Sequence, residues 1–150
     1  MNPPLPSDLE SAVATGDIAK VLDAALAHFG CQAGTVHLLR DGVLKLTAQK
    51  NIPPPVAQIV ETVPIGKGIA GLAAQRLEAV TICNLQTDTS GQAKPGAKIT
   101  GMEGTVAVPM MVNGELRGVL GIGKVTAYDW PKAETDLLTQ VGAAIAAKIS

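Results

Sequence analysis

The sequence predicts an α+β domain built on a largely antiparallel sheet. Two observations carry this reading: apolar runs paired across Asp41-Gly42 and Asn113-Gly114, and helix-period stripes at both chain ends. Asp-Gly and Asn-Gly supply the two positive-φ positions that a two-residue hairpin turn requires, so each marks a pair of antiparallel strands. Strands joined mostly by hairpins argue against a doubly wound parallel sheet, and the helices must then pack on the sheet's faces.

Taken in order, residues 1–6 form a Pro-rich tail expected to be loose, and residues 7–150 form a single domain. Ser7 with Glu10 fits a capping box, which opens a helix. That helix is interrupted near Gly16 and resumes as Ile18, Val21, Leu22, Ala25, Leu26 and Phe29, closing at Gly30. Strands over 35–40 and 43–49 flank the first turn, with Leu39 facing Leu44, His37 facing Leu46 and Thr35 facing Ala48. Pro53, Pro54 and Pro55 stop the second strand and seed a short helix over 56–60. A glycine-studded turn then leads into an Ala-rich helix ending near Leu77, and a strand covers 79–85. The polar, irregular stretch 86–103 is long for a connection inside a compact domain, which suits a lid.

The second hairpin is expected to set Val112 opposite Glu115, Met110 opposite Arg117 and Val108 opposite Val119. Pro109 cannot donate to a ladder, so its nitrogen faces away from a partner strand or sits at a bulge. A last helix begins at Pro131, with Glu134 in its first turn and Leu138, Val141, Ile145 and Ile149 along one side.

Composition bounds the function. The 150 residues are 47% hydrophobic and 17% charged, which describes a globular chain long enough to bury a core without disulfides or metal. A net charge of −1 creates no field suited to nucleic-acid phosphates or anionic lipid. Phe29, Tyr128 and Trp130 are the only large aromatics, too few for a base-stacking platform. Neither nucleic acid nor membrane is an expected partner. The N-terminus has no basic segment followed by an apolar one, so no secretory signal is expected, and two cysteines, Cys31 and Cys83, make no disulfide framework. A cytoplasmic location follows as the expectation.

Few side chains stand out as chemistry. His37 falls on an apolar strand face, either as a ligand contact or as a hydrogen-bonded interlayer histidine. His28 lies within the first helical region and reads as surface or packing. Neither histidine has a second ligand at metal-binding spacing, so no metal site is expected. Cys83 reads as a small buried hydrophobe within a strand, and Cys31 has no cationic neighbour in sequence to lower its pKa. Gly66-Lys67-Gly68-Ile69-Ala70-Gly71 matches G-x-G-x-x-G, but no strand of a βαβ unit precedes it and the following helix is too short for a crossover. Its glycines are read as permitting the turn and close packing; the alternative is that amides near Gly68 hold an anionic group.

Two segments together carry a family resemblance. Val63–Ala79, V-P-I-G-K-G-I-A-G-L-A-A-Q-R-L-E-A, and Gly104–Lys124, G-T-V-A-V-P-M-M-V-N-G-E-L-R-G-V-L-G-I-G-K, resemble the diagnostic segments of GAF domains. The resemblance covers nearly the whole chain. It implies a GAF-like (profilin-like) central antiparallel sheet with the terminal helices on one face and a ligand pocket under a lid loop on the other. It also places the pocket near Ile69, Ala70, Asn84, Thr100, Met102 and Thr105, with His37 as a further candidate.

Subfamily features narrow the expectation. Cyclic-nucleotide GAF domains resemble this chain poorly at Gly123, Lys124, Trp130, Glu134 and Thr135, where only Lys124 is identical. Bilin binding needs a cysteine that residues 86–103 lack. The cysteines of free methionine-R-sulfoxide reductases correspond to Val60, Ala70 and Lys98 here. Since that chemistry requires thiolates, catalysis is not expected. The resemblance therefore implies a non-catalytic, cofactor-free sensor that binds an unknown small molecule. It would signal to a protein partner through its terminal helices, which are expected to form a homodimer; the alternative is a dimerisation or docking module without a small ligand.

Overall fold

The computed structural model describes residues 4–88 and 100–149, so most of the expected lid, residues 89–99, lies outside the described residues. The chain runs α1 (Ser7–Ala14), α2 (Ile18–Phe29), β1 (Ala33–Arg40), β2 (Val43–Lys50), α3 (Pro54–Ile59), β3 (Thr62–Pro64) and α4 (Gly68–Arg76). It continues through β4 (Val80–Ile82), β5 (Gly104–Val112), β6 (Glu115–Lys124) and α5 (Lys132–Ile149). The sheet order is β3-β2-β1-β6-β5-β4, and every neighbouring pair is antiparallel. The α+β expectation holds.

The terminal helices share one face of the sheet. Leu9 of α1, Leu22, Leu26 and Phe29 of α2, and Leu138, Val141 and Ile145 of α5 pack with Val36, Leu38, Val106, Val108, Met110, Leu120 and Ile122. Gly16 leaves α1 with φ 71, and Asp17 then restarts the helix by capping α2. Its carboxylate accepts from the amides of Ala19 at 3.0 Å and Lys20 at 3.4 Å. The expected Ser7–Glu10 capping box does not form. Pro6 occupies the cap position, so Ser7 is already helical and its hydroxyl caps nothing. At the other end of α2, Gly30 provides the expected left-handed stop with φ 66.

Both hairpins turn where expected. Asp41 and Gly42 have φ 53 and 79, and Asn113 and Gly114 have φ 52 and 79, the signature of a type I′ turn. Both registers then slip once. In the first hairpin Leu39 faces Leu44 and His37 faces Leu46, but a bulge sets Val36 opposite Ala48 and Thr35 opposite Gln49. In the second, Met111 faces Leu116 and Met110 faces Gly118, which leaves Arg117 unopposed and pairs Val108 with Leu120. The turn fixes pairing only as far as the first bulge, where an extra residue bends the strand. The second slip has a clear packing reason: it stacks Val108 against Leu120, both fully buried, and sends Arg117 outward to an ion pair with Glu115.

Two strands differ from expectation. β3 falls where a helix and proline turn were read; three residues are too few to show alternation, and Pro64 is tolerated because β3 is an edge strand. β4 is shorter than 79–85. Beyond Ile82 the backbone pairs irregularly instead, with the Leu85 amide on the Glu103 carbonyl and the Tyr128 amide on the Cys83 carbonyl. Pairing by β4 stops at Ala107, so Pro109 lacks a β4 partner as its missing amide requires.

Candidate ligand cavity

On the sheet face away from the terminal helices, the even-odd alternation of β1 turns Ala33, Thr35 and His37 toward α3 and α4. Their cross-strand neighbours on β6 are Gly123, Gly121 and Val119. The missing side chain of Gly121 in the middle of the sheet helps leave a hollow. A cavity of about 140 Å³ lies there, close to the ~150 Å³ of an apolar cavity that accommodates benzene. Neither glycine needs a positive φ; a Cβ on Gly121 would meet nothing closer than Thr35 Oγ1 at 3.4 Å, so Gly121 leaves space, whereas one on Gly123 would press on Met102 at 3.1 Å, so Gly123 admits that side chain. Val56, Ile59 and Val60 of the α3 region form one wall, the first turn of α4 another, and Leu85, Thr100 and Met102 a third.

The walls are apolar apart from a few defined polar groups. The His37 ring is 2% exposed, and its Nε2 lies 2.8 Å from the carbonyl of Val60, the residue that ends α3. A carbonyl only accepts, so Nε2 donates and satisfies one of that helix's orphan carbonyls. Burial, partly opposed by this hydrogen bond, holds the His37 pKa below its ordinary value. The ring is therefore neutral at pH 7, and its Nδ1 is an acceptor. Nδ1 is buried without a partner among the described residues, as is the hydroxyl of Thr105. Leaving such a group unpaired costs about 1–3 kcal/mol. The sequence left His37 open between ligand contact and interlayer packing; one ring nitrogen does the second job and the other is unspent.

At the α4 wall, Gly66 and Gly68 adopt φ 88 and 69, and the Gly66 amide donates to the Gly71 carbonyl at 2.8 Å. A Cβ on Gly71 would lie 2.6 Å from the Pro64 carbonyl oxygen. The glycines thus serve turn and close packing, and the strand before them is a short antiparallel edge, with no βαβ unit. Lys67 precedes the helix without a side-chain cap, and the amides of Gly68, Ile69 and Ala70 make no hydrogen bond to a described residue. Lys67 itself has no ion pair among the described residues. The first turn of α4 is a weak positive pole at the cavity wall.

Of the residues predicted for the site, Ile69, Ala70, Thr100, Met102, Thr105 and His37 border this cavity. Asn84 does not. Its amide group donates to Glu103 at 3.2 Å and its oxygen accepts from the Gln86 amide at 3.1 Å, so it braces the loop, and Leu85 meets the cavity instead. Gly121 and Gly123 went unread, because a strand glycine signals its meaning only once the facing side chains are known.

Neither cysteine lies at the cavity. Cys31 sits beyond α2, where burial pushes its thiol up to about 11 despite the nearby Lys124 ammonium, a cationic neighbour in space that the sequence did not reveal. Cys83 is exposed, not the buried strand residue expected, because β4 ends just before it; its hydrogen bond to Asp129 raises its pKa. Val60 and Ala70, two of the positions that the resemblance sets against reductase cysteines, border the cavity, while Lys98 lies outside the described residues. Lys124 turns to the other side of the sheet. Its ammonium donates to the Phe29 carbonyl and sits 4.6 Å from the Tyr128 ring centre and 5.3 Å from that of Trp130. His28, read as surface or packing, meets Asp8 at 2.9 Å and holds its carboxyl below the usual value.

A sequence model described as GAF domain matches residues 18–150. The chain belongs to the GAF family. Among solved structures, this GAF domain is similar to the GAF domain of an Acinetobacter phosphoenolpyruvate-protein phosphotransferase, with TM-score 0.76 and 20% identity over 95% of this chain and 90% of that one. It is also similar to free methionine-R-sulfoxide reductase from Neisseria meningitidis in complex with its substrate, with TM-score 0.76 and 16% identity over 93% and 83% of the two chains. A type II free methionine-R-sulfoxide reductase from Thermoplasma acidophilum matches with TM-score 0.72 and 16% identity over 95% of each chain. At such identities the likeness establishes the GAF fold and no activity. No curated protein matches in sequence. Among the described residues no helix is long and apolar enough to cross a membrane, and no three His, Cys, Asp or Glu side chains gather into a metal site.

Proposed function

We propose that this GAF domain is a non-catalytic regulatory module that binds a small molecule in the cavity over Gly121 and Gly123. The carrying observation is an apolar hollow of about 140 Å³ over the sheet, bordered by His37 and Thr105, each of which has a buried polar atom without a partner among the described residues. The reductase alternative lacks its reagent: the chain has only two cysteines, and neither borders the cavity. The cyclic-nucleotide alternative is weakened because Lys124, its one matching residue, is committed to the C-terminus of α2.

A route from cavity to terminal helices supports a signalling role. Gly123 is in the cavity floor; the next residue, Lys124, holds α2 and lies against the Tyr128–Trp130 pair. Tyr128 in turn donates to Glu134 of α5. A ligand that prefers one placement of the end of β6 would bias both helices by that difference in affinity. Pairing of two copies through these helices has less support, since among the described residues the large exposed apolar side chains Ile59, Ile65, Leu77 and Val125 all lie outside them.

Native mass spectrometry of the purified chain, with a thermal-shift screen, tests the proposal. A retained small molecule, or a ligand at a hundredfold excess over Kd adding about 2.7 kcal/mol, supports it. A silent screen with tight self-association would favour the docking alternative. Loss of methionine sulfoxide with a thiol reductant would overturn the non-catalytic part.

A further inference from the structure

Behind part of the cavity the sheet is one backbone thick. Gly34 of β1 borders the cavity, and on its other side a Cβ would lie 2.9 Å from Leu22 Cδ1 and 3.1 Å from Leu26 Cδ2 of α2. With no side chain at position 34, these two leucines rest directly on the strand whose opposite surface meets the cavity. The end of α2 is tied to the same corner by Gln32, which lies between α2 and β1. Its amide donates to the Gly123 carbonyl at 3.0 Å, and its Oε1 accepts from the Val125 amide at 2.9 Å. Its Nε2 donates to the Gly30 carbonyl at 3.0 Å, and its own carbonyl accepts from Asn51 Nδ2 at 2.8 Å. Gly123 borders the cavity, and so does Ile52, the residue after Asn51. One residue therefore joins floor, wall and helix end. Gln32 is exposed, so water can replace these bonds and the junction can loosen without leaving a buried group unpaired.

α5 is attached elsewhere. Its Gly142 packs closely on β5, where a Cβ would lie 3.0 Å from Met110 Cγ, and Met110 does not border the cavity. Its bond from the Tyr128 hydroxyl to Glu134 starts beyond the end of β6.

We propose that α2 carries the larger response to cavity occupancy, ahead of α5, with Gly34 as the point of contact and Gln32 as the positioning residue that makes the end of α2 follow the floor. The inference rests on the small-molecule reading above. Contents that prefer one placement of Gly34 and Gly123 favour the matching placement of Leu22, Leu26 and the last turn of α2, by the difference in affinity between the two placements.

Xenon is a suitable probe: it enters apolar cavities of this size and carries no ring current, so a shift beyond the sheet reports displacement. Amide and methyl NMR spectra of the full chain are compared under xenon and under helium at the same pressure. Xenon should move the Gly121 and Gly123 amides, and should move the Leu22 and Leu26 methyls about threefold more than the Val141 and Ile145 methyls of α5. Gln32→Ala should leave the Gly121 and Gly123 responses in place and cut those of the Phe29 and Gly30 amides by about half. A side chain with a merely structural role would lower stability without separating floor from helix. Gln32→Glu keeps the acceptor for the Val125 amide and loses only the donor to Gly30; it should act like Gln32→Ala, and it serves alone if the alanine variant does not fold. Responses in α5 equal to those in α2, a silent α2 while Gly121 and Gly123 move, or Phe29 and Gly30 responses unchanged by either substitution would each overturn the inference and leave the cavity reading intact. No response at Gly121 and Gly123 would overturn it too, whereas the cavity reading is decided separately by the mass-spectrometric result.

Discussion

Replacing Gly121 with alanine separates a glycine kept for backbone reasons from one kept to leave room. Gly121 does not adopt a positive φ, and an added Cβ would lie 3.4 Å from Thr35 Oγ1 and 3.7 Å from the Val106 carbonyl oxygen, ordinary contact distances. Alanine in a strand is favoured over glycine by about 0.5–1 kcal/mol, and a newly buried methyl adds about 0.8 kcal/mol. The sum is a stabilisation of about 1–2 kcal/mol, or roughly 2–8 °C in Tm for a chain of this length. The same methyl takes up part of a cavity of about 140 Å³, and overfilling a packed site costs ~1–3 kcal/mol, so ligand affinity should fall about tenfold. Scanning calorimetry of the ligand-free variant, followed by the ligand-induced Tm rise, measures both. Stability and binding must move in opposite directions. A lower Tm for ligand-free Gly121→Ala would show that the glycine serves the backbone and refute the argument. Gly118→Ala is the contrasting case: its Cβ would overlap the His37 carbonyl oxygen, so it should destabilise by ~3 kcal/mol.

Three further outcomes follow from local geometry. His37 is held below its ordinary pKa of 6.5, so the unfolded chain takes up a proton first as pH falls; the stability present above pH 6.5 is lost below it, and the slope of the urea midpoint between pH 6.5 and 5 should vanish in His37→Gln. Asp17→Ala removes the cap on the Ala19 and Lys20 amides and should cost about 1 kcal/mol in urea unfolding, whereas Ser7→Ala, which removes no cap, should cost only a few tenths. Asp129→Asn removes the group that raises the Cys83 thiol, so alkylation of exposed Cys83 at pH 7.5 should accelerate while Cys31, pushed up to about 11, stays slow; equal rates before and after would contradict the Cys83–Asp129 contact.

The sequence by itself determined whatever depends on a few adjacent residues. Asp41-Gly42 and Asn113-Gly114 specify their turns because φ above zero is a local steric matter, and Gly30 ends α2 for the same reason. The helical stripes settled which face of each terminal helix is buried. Even the cavity's neighbourhood was legible through the Val63–Ala79 segment. Tertiary structure decided the rest. The slips at Val36/His37 and Met110/Met111 answer to packing across strands far apart in sequence, as Val108 meeting Leu120 shows. That Gly121 hollows a floor, that Cys83 emerges into solvent and that Lys124 reaches back to Phe29 are facts about neighbours 14 to 95 residues away. A side chain's chemistry is written in the sequence, but its partners exist only after the chain has closed on itself.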